Sequence, residues 1–275
     1  MDGPGPGAAH RPQALLLNFL GSQVLDADLP PLPSSTLLDV LADLGVAEAA
    51  GRATLQRMVQ RGLLARGQVG RTAEYSLTPR IEAVLRRADR RVSSPTPFEH
   101  PPGEWTLLSY SVPETQRVLR HRVRGALAWA GFGGLRDGLW IAPGTVDVAA
   151  VLGDRGLAEA TGLADAFGAR PLPGTDVDGM VQRAWDVPAV RAAHLRFTET
   201  WSGPPPVAGS MAQLTLLGAD WLDLLQADPG LPAQNLGPDW PAAASAATYR
   251  RARTALEPAA RAALERSLRA TGRVA

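Results

Sequence analysis

The 275-residue sequence predicts an α+β protein in three parts: a small helical part ending in a β-hairpin, a mixed α/β part, and a helical C-terminal part. Three observations carry this expectation. Apolar residues recur at helical spacing toward both ends of the chain, whereas residues 104–167 alternate short strand-like runs with helical stretches. Gly45 and Gly62 stop periodic segments in the manner of helix C-caps. A proline- and serine-dense stretch, Ser93-Ser-Pro-Thr-Pro-Phe-Glu-His-Pro-Pro-Gly, separates the first part from the second.

In chain order, a helix is expected over 12–21, with Leu15, Leu16, Phe19 and Leu20 on one side, followed by a loop over 26–33. Ser34 and Ser35 offer N-cap oxygens to a second helix that buries Leu37, Leu38, Leu41 and Leu44. A third helix runs from about Glu48 to Arg61, with Ala50, Leu55, Met58 and Val59 as its apolar side. Two strands follow, Leu63–Gly67 and Ala73–Thr78, joined by Gln68-Val-Gly-Arg-Thr, and a helix from Pro79 to about Arg91 closes the part. Helix, turn, helix and then a two-stranded hairpin is the order of a winged helix-turn-helix, here spanning 12–91, with a linker over 92–103.

The second part, 104–180, opens on the strand Trp105–Val112, ended by Pro113. A helix over 114–130 follows, with Val118, Val123, Leu127 and Ala130 toward the core. Residues 131–142 supply strand material around a Gly-rich turn, then come a helix near Val146–Leu152 and a strand within Gly156–Phe167. This alternation predicts a ferredoxin-like α/β sandwich. The α-helical C-terminal part, 184–270, holds three helices: one capped by Asp186, one over 210–226 and one over 242–269.

Cysteine is absent, which removes disulfides, thiolate metal sites and cysteine nucleophiles. No basic-apolar leader opens the chain, and no apolar run approaches the roughly 20 residues needed to cross a bilayer, so a cytoplasmic protein without a membrane partner is expected. All 28 basic residues are arginine, which GC-biased composition explains most simply. Their placement carries more information. Residues 22–45 hold Asp26, Asp28, Asp39 and Asp43 with no arginine, whereas residues 46–91 hold ten arginines against four carboxylates, a local charge of +6. A basic segment within a chain of net charge +1 is the electrostatic footprint of a polyanion-binding surface.

Three groups of segments carry a family resemblance. One is Gly45-Val-Ala-Glu-Ala-Ala-Gly-Arg-Ala-Thr-Leu-Gln-Arg-Met-Val-Gln-Arg-Gly-Leu-Leu with Val69-Gly-Arg-Thr and Tyr75-Ser-Leu-Thr-Pro. The second is Glu104-Trp-Thr-Leu-Leu, Ser111-Val-Pro-Glu, Trp129-Ala-Gly-Phe-Gly and Gly138-Leu-Trp-Ile-Ala-Pro. The third is Ala184-Trp-Asp-Val, Asp228-Pro-Gly-Leu-Pro and Asp239-Trp-Pro. In this order they resemble the PaaX family, repressors of phenylacetate catabolism and their relatives. The resemblance implies a homodimer on a double-stranded DNA operator, released by phenylacetyl-CoA, another acyl-CoA or a related small metabolite, with no bound cofactor and with the C-terminal part, 184–270, serving dimerisation and ligand sensing. The chain departs from the family pattern at Ala47, where a polar cap is usual, and at Ala49, Gly51 and Ala53. Loss of an N-cap costs about 0.5–2 kcal/mol, and a glycine inside a helix about 1 kcal/mol. A weak, less basic recognition helix is therefore expected.

The candidate DNA contacts are Arg52, Gln56, Arg57 and Arg61 on the third helix, with Arg71 and Thr72 at the hairpin tip. Arginine pairs with guanine edges and glutamine with adenine, and a hairpin tip reaches flanking phosphate. The plain alternative is a solvated arginine face. The Gly131-Phe-Gly-Gly-Leu-Arg-Asp-Gly stretch fits neither a dinucleotide fingerprint nor a P-loop and is expected to be a turn. The four histidines show no ligand spacing, the seven tryptophans are expected in cores or interfaces, and no catalytic residue is assigned. Ferredoxin-like nucleases need an acidic ligand where the first strand ends, and here that strand ends Ser109-Tyr-Ser-Val-Pro, with Glu114 expected in a helix's first turn. Two other readings stand beside the repressor. One is an interaction module with a degenerate winged helix; the other is a metal nuclease, which the missing acidic residue disfavours.

Overall fold

The computed structural model describes residues 10–27, 29–101 and 103–271. The N-terminal Met1–Gly7 stretch and Asp28 lie outside the described residues, and so does the side chain of Glu114. Two compact units emerge, one drawn from Met1–Pro95, Phe197–Leu222 and Ala244–Ala275, the other from Thr96–Arg196 and Asp223–Ala243.

In the first unit the chain runs α1 (Pro12–Gln23), β1 (Leu32–Pro33), α2 (Ser34–Asp43), α3 (Glu48–Gln60), β2 (Leu64–Val69), β3 (Thr72–Leu77) and α4 (Pro79–Val92). Leu15, Leu16 and Phe19 of α1, Leu37 and Leu41 of α2, and Leu55 and Met58 of α3 are all buried, so the helical spacing in the sequence does mark a common core. The sheet has three strands, in the order β1-β3-β2, because Leu32 and Pro33 pair with Tyr75 and Glu74. Those two residues were expected in a loop. A two-residue edge strand has no period to detect, and an edge tolerates proline because its missing N–H faces no partner strand. The expected serine cap of α2 does not form either. Pro33 takes the N-cap position without a side-chain bond, and both serines fall inside the first turn.

The buried side of α3 is shifted from the expected one. Gly51, Thr54, Leu55 and Met58 face inward, whereas Ala50 is exposed and Val59 only half-buried. A Cβ at Gly51 would stand 2.8 Å from Leu38 Cδ2 and 3.2 Å from Leu41 Cδ1. The glycine therefore lets α3 approach α2 closely, and its cost in helix propensity is offset by packing.

The helices α9 (Ser210–Ala227) and α10 (Ala242–Ala270) contribute to this unit through Leu214, Leu217, Trp221, Leu264 and Leu268, all buried. Trp221 stacks on Tyr249 with centroids 4.4 Å apart and donates from Nε1 to the Val92 carbonyl at 3.3 Å. Burial pushes the Tyr249 phenol above its ordinary pKa. Gln23 donates to Met211 O and Thr215 Oγ1, both at 3.0 Å, and the Thr36 and Ser267 hydroxyls meet at 2.8 Å.

The second unit holds β4 (Trp105–Tyr110), α5 (Arg117–Trp129), β5 (Gly133–Arg136), β6 (Leu139–Pro143), α6 (Val148–Asp154), β7 (Ala164–Ala169) and α7 (Val177–Ala184). Its antiparallel sheet has the order β5-β6-β4-β7, the arrangement of a ferredoxin-like sandwich. One face carries Leu108, Trp140 and Ala142 against Val123, Leu127, Leu152 and Leu157. The other carries Trp105 and Ile141 against Val181, Val187 and Leu231. The sheet is thus covered on both sides, a consequence of the strand alternation Trp105/Leu108 and Ile141/Trp140.

Glu114–Gln116 form a 3-10 turn, and the α-helical part begins only at Arg117. Val118, expected in the core, is 75% exposed. The inward stripe instead runs Leu119, Val123, Ala126 and Leu127, and Val118 stands about 100° around the helix from Leu119. The seven-residue α6 starts two residues later than expected, where Asp147 accepts from Ala150 N at 2.9 Å.

Asp228 is the polar centre of this unit. Wholly buried, it accepts from Gly230 N at 2.8 Å and Leu231 N at 2.9 Å, and bonds His194 Nε2 at 2.9 Å. His194 belongs to α8 (Val187–Ser202), whose N-terminus is capped as expected by Asp186, accepting from Ala189 N at 3.0 Å. The loop that Asp228 folds presses Pro229 onto Gly131, where a Cβ would come within 2.5 Å. At Gly133 a Cβ would meet Ala184 O and the Trp185 ring, each at 2.7 Å. Part of the Gly-rich stretch expected to be only a turn is thus a bare surface that other segments need.

Two stability outcomes follow. Gly51→Val should cost about 1–3 kcal/mol by overpacking α2 against α3, read as a lower denaturation midpoint at unchanged m-value. Asp228→Ala should cost about 3 kcal/mol or more, since it strands two buried amides and a buried imidazole at once. Urea unfolding that leaves either variant at the parent midpoint would contradict these assignments.

Candidate nucleic-acid interface

The solvent side of α3 and the β2–β3 hairpin form one surface of the first unit. Ala47, with extended φ and ψ, precedes α3 and supplies no side-chain cap. Glu48 partly substitutes in the first turn, where a carboxylate suits the helix dipole, and it pairs with Arg52 at 2.6 and 2.8 Å. Both partners are more than three-fifths exposed, so this i,i+4 pair is worth only about 0.3–0.5 kcal/mol and gives way readily to a competing anion.

Arg52 and Gln56, one turn apart, line a shallow cleft of about 280 Å³ with Ser34, Arg66 and Tyr75. Arg57 and Arg61 point elsewhere. Arg57 donates to Thr54 Oγ1 at 2.9 Å, and Arg61 to Gln13 Oε1 at 3.1 Å beside the start of α1. The six candidate residues therefore divide into the cleft pair Arg52 and Gln56, the flank pair Arg57 and Arg61, and the hairpin tip.

At the tip, Val69 pairs with Thr72, leaving Gly70 and Arg71 as a two-residue turn. Gly70 takes φ +60°, as the first central position of a type II′ hairpin turn requires. Arg71 and Thr72 are exposed, and so is every residue of β2 after Leu64. A strand open on both faces gains nothing from the core beyond its first residue. In the sequence Arg66 is one of the ten arginines of the basic segment, with nothing to single it out. Its approach to Arg52 and Gln56 comes from the register Arg66↔Tyr75, which spacing along the chain does not reveal.

Three family models match this chain: the PaaX-like protein at residues 11–81, the PaaX protein central Cas2-like domain at 99–175, and the PaaX-like protein C-terminal domain at 185–266. The chain belongs to the PaaX family. PaaX proteins are transcription regulators, and the candidate surface lies wholly within the first matched segment. No curated protein matches the chain. Among solved structures it is similar to the uncharacterized protein Rv0674 from Mycobacterium tuberculosis, at 25% identity over 92% of this chain and 98% of that one, with a TM-score of 0.60.

Relative to the PaaX pattern, the missing cap is a local fault that the surrounding helices do not remedy. Ala47 is exposed and extended, so a serine fits there unstrained. Ala47→Ser should stabilise the chain by about 0.5–2 kcal/mol, measured as a rise in thermal midpoint. No rise would mean that α3 is already capped by other means. Among the described residues no three His, Asp or Glu side chains gather as a metal site, and no helix is long and apolar enough to cross a membrane.

Proposed function

We propose that this PaaX-family chain is a sequence-specific DNA-binding repressor of a catabolic operon, with residues 12–91 acting as a winged helix-turn-helix. The observation that carries the proposal is the grouping of exposed Arg52, Gln56 and Arg66 beside a hairpin tipped by Arg71. In this reading α3 enters the major groove, where Arg52 or Arg57 reads a guanine edge and Gln56 an adenine. Arg61, Arg71 and Thr72 hold the flanking backbone. The protein acts as a homodimer, because one recognition helix covers too few base pairs and palindromic operators mirror a two-fold protein. An aryl-acyl-CoA or related metabolite favours a dimer arrangement whose recognition helices no longer match successive grooves. No catalytic step is assigned.

A second reading, a protein-interaction module with a degenerate winged helix, is favoured by one observation. Ala47, Ala49, Ala50 and Ala53 leave the leading half of α3 with Arg52 as its sole arginine.

Binding isotherms on cognate and scrambled duplexes at several salt concentrations separate the two. Arg52→Ala or Arg57→Ala should cost about 1–3 kcal/mol on the cognate duplex and relax specificity at one position per half-site. Arg71→Ala should weaken all sequences alike and lower the salt slope by roughly one per phosphate contact. If all three variants bind like the parent, the basic segment is a solvated surface and the interaction module becomes the better reading. Light scattering at micromolar concentration should give a dimer mass with and without DNA; a monomer in both would overturn the symmetric mechanism.

A further inference from the structure

The second unit carries a strongly basic cleft that the duplex-binding surface does not use. The end of β4, the first turns of α5 and the β5–β6 hairpin enclose about 680 Å³, within the range of small-molecule sites. Arg120 and Arg124 line it from one face of α5, four residues apart, and Arg136 lines it from the end of β5. Three guanidiniums face this space against a single carboxylate, Asp137.

The cleft is partly preorganised. Arg120 Nη2 donates to the Val112 carbonyl at 2.7 Å, and the Arg124 guanidinium lies 5.7 Å from the Trp140 ring centroid. Anchoring long side chains before a ligand arrives lowers the ordering cost of binding. Tyr110 and Trp140 form an aromatic wall, their centroids 6.3 Å apart. Burial pushes the Tyr110 phenol up, against the pull of nearby Arg124 and Arg120, so it offers a neutral hydroxyl. A field of this sign repels metal cations and attracts anions, and guanidinium forks match phosphate geometry.

We propose that this cleft binds a small phosphate ester carrying at least two negative charges. Arg124 and Arg136 hold its phosphates, Tyr110 packs against its organic part, and Asp137 accepts from a ligand hydroxyl or amine. As an effector site the assignment rests on the regulator reading, but as a binding site it stands alone.

Calorimetric titration of the full-length chain at low salt tests it, with ADP, pyrophosphate and adenosine as probes. ADP should bind and adenosine should not. Arg124→Ala and Arg136→Ala should each weaken ADP by about tenfold, with Arg124→Lys and Arg136→Lys losing less. Unchanged thermal midpoints certify that the variants fold; both side chains are exposed and outside the core. Failure of both ADP and pyrophosphate to bind at millimolar concentration, or equal binding by parent and alanine variants, would overturn the proposal. Pyrophosphate binding as tightly as ADP would keep the anion site and overturn the role given to Tyr110. Loss of duplex binding in the alanine variants with ADP inert would make the cleft a nucleic-acid surface and overturn the small-ligand assignment. The titration contains no DNA, so its failure leaves the Arg52 and Arg71 readings standing, and their failure leaves this one standing.

Discussion

The close approach of α3 to α2 at Gly51 is the constraint on which the basic surface of the first unit depends. With no Cβ in the way, Leu38 and Leu41 close directly over the helix backbone. Leu55 and Met58 then seat in the same core and fix the rotation of α3 about its axis. That rotation decides which residues are solvated. Arg52 and Gln56 come to lie beside Arg66, and Ala50 is turned outward. A helix lacking a side-chain cap is held by packing here, as most protein helices are.

The same device recurs in the second unit with a polar partner. Gly131 and Gly133 keep the β5 side of the sheet bare enough for Pro229, Ala184 and Trp185 to settle on it. Asp228 then satisfies the backbone of the loop that supplies Pro229. The segments shared with the PaaX family in the middle of the sequence and near its end are therefore two sides of one packed contact. A buried carboxylate with two amide donors and an imidazole carries its own solvation shell, which is why a charge-bearing residue is tolerated at zero exposure.

The two basic surfaces differ in how their arginines are held. On α3 the guanidiniums are exposed and engaged with weak, exchangeable partners such as Glu48 and Gln13. In the cleft at the end of β4, a carbonyl and an indole hold Arg120 and Arg124 in place. Loosely held charges suit a polyanion met along an extended surface, where counterion release supplies the free energy. Fixed ones suit a small anion with defined geometry.

Spacing and cap chemistry in the sequence determined the helices α1 to α4, the hairpin, the alternation of strands and helices that opens the middle part and the capping of α8 by Asp186, because each leaves a local signature. It also located the basic segment and, through three ordered groups of motifs, the family. Tertiary structure decided the rest. The short edge strand at Leu32–Pro33 has no period of its own and exists only because β3 offers it partners. Val118 is apolar yet exposed, since the inward stripe of α5 is set by Leu119, Val123 and Leu127. Gly51 and Gly133 look like weak points in a one-dimensional reading and are contact points in three dimensions, because the cost of a Cβ depends on what lies across from it. The grouping of Arg66 with Arg52, and of Arg136 with Arg120, joins residues from separate elements. Strand register and helix packing bring them together, and neither is written in the spacing of residues along the chain.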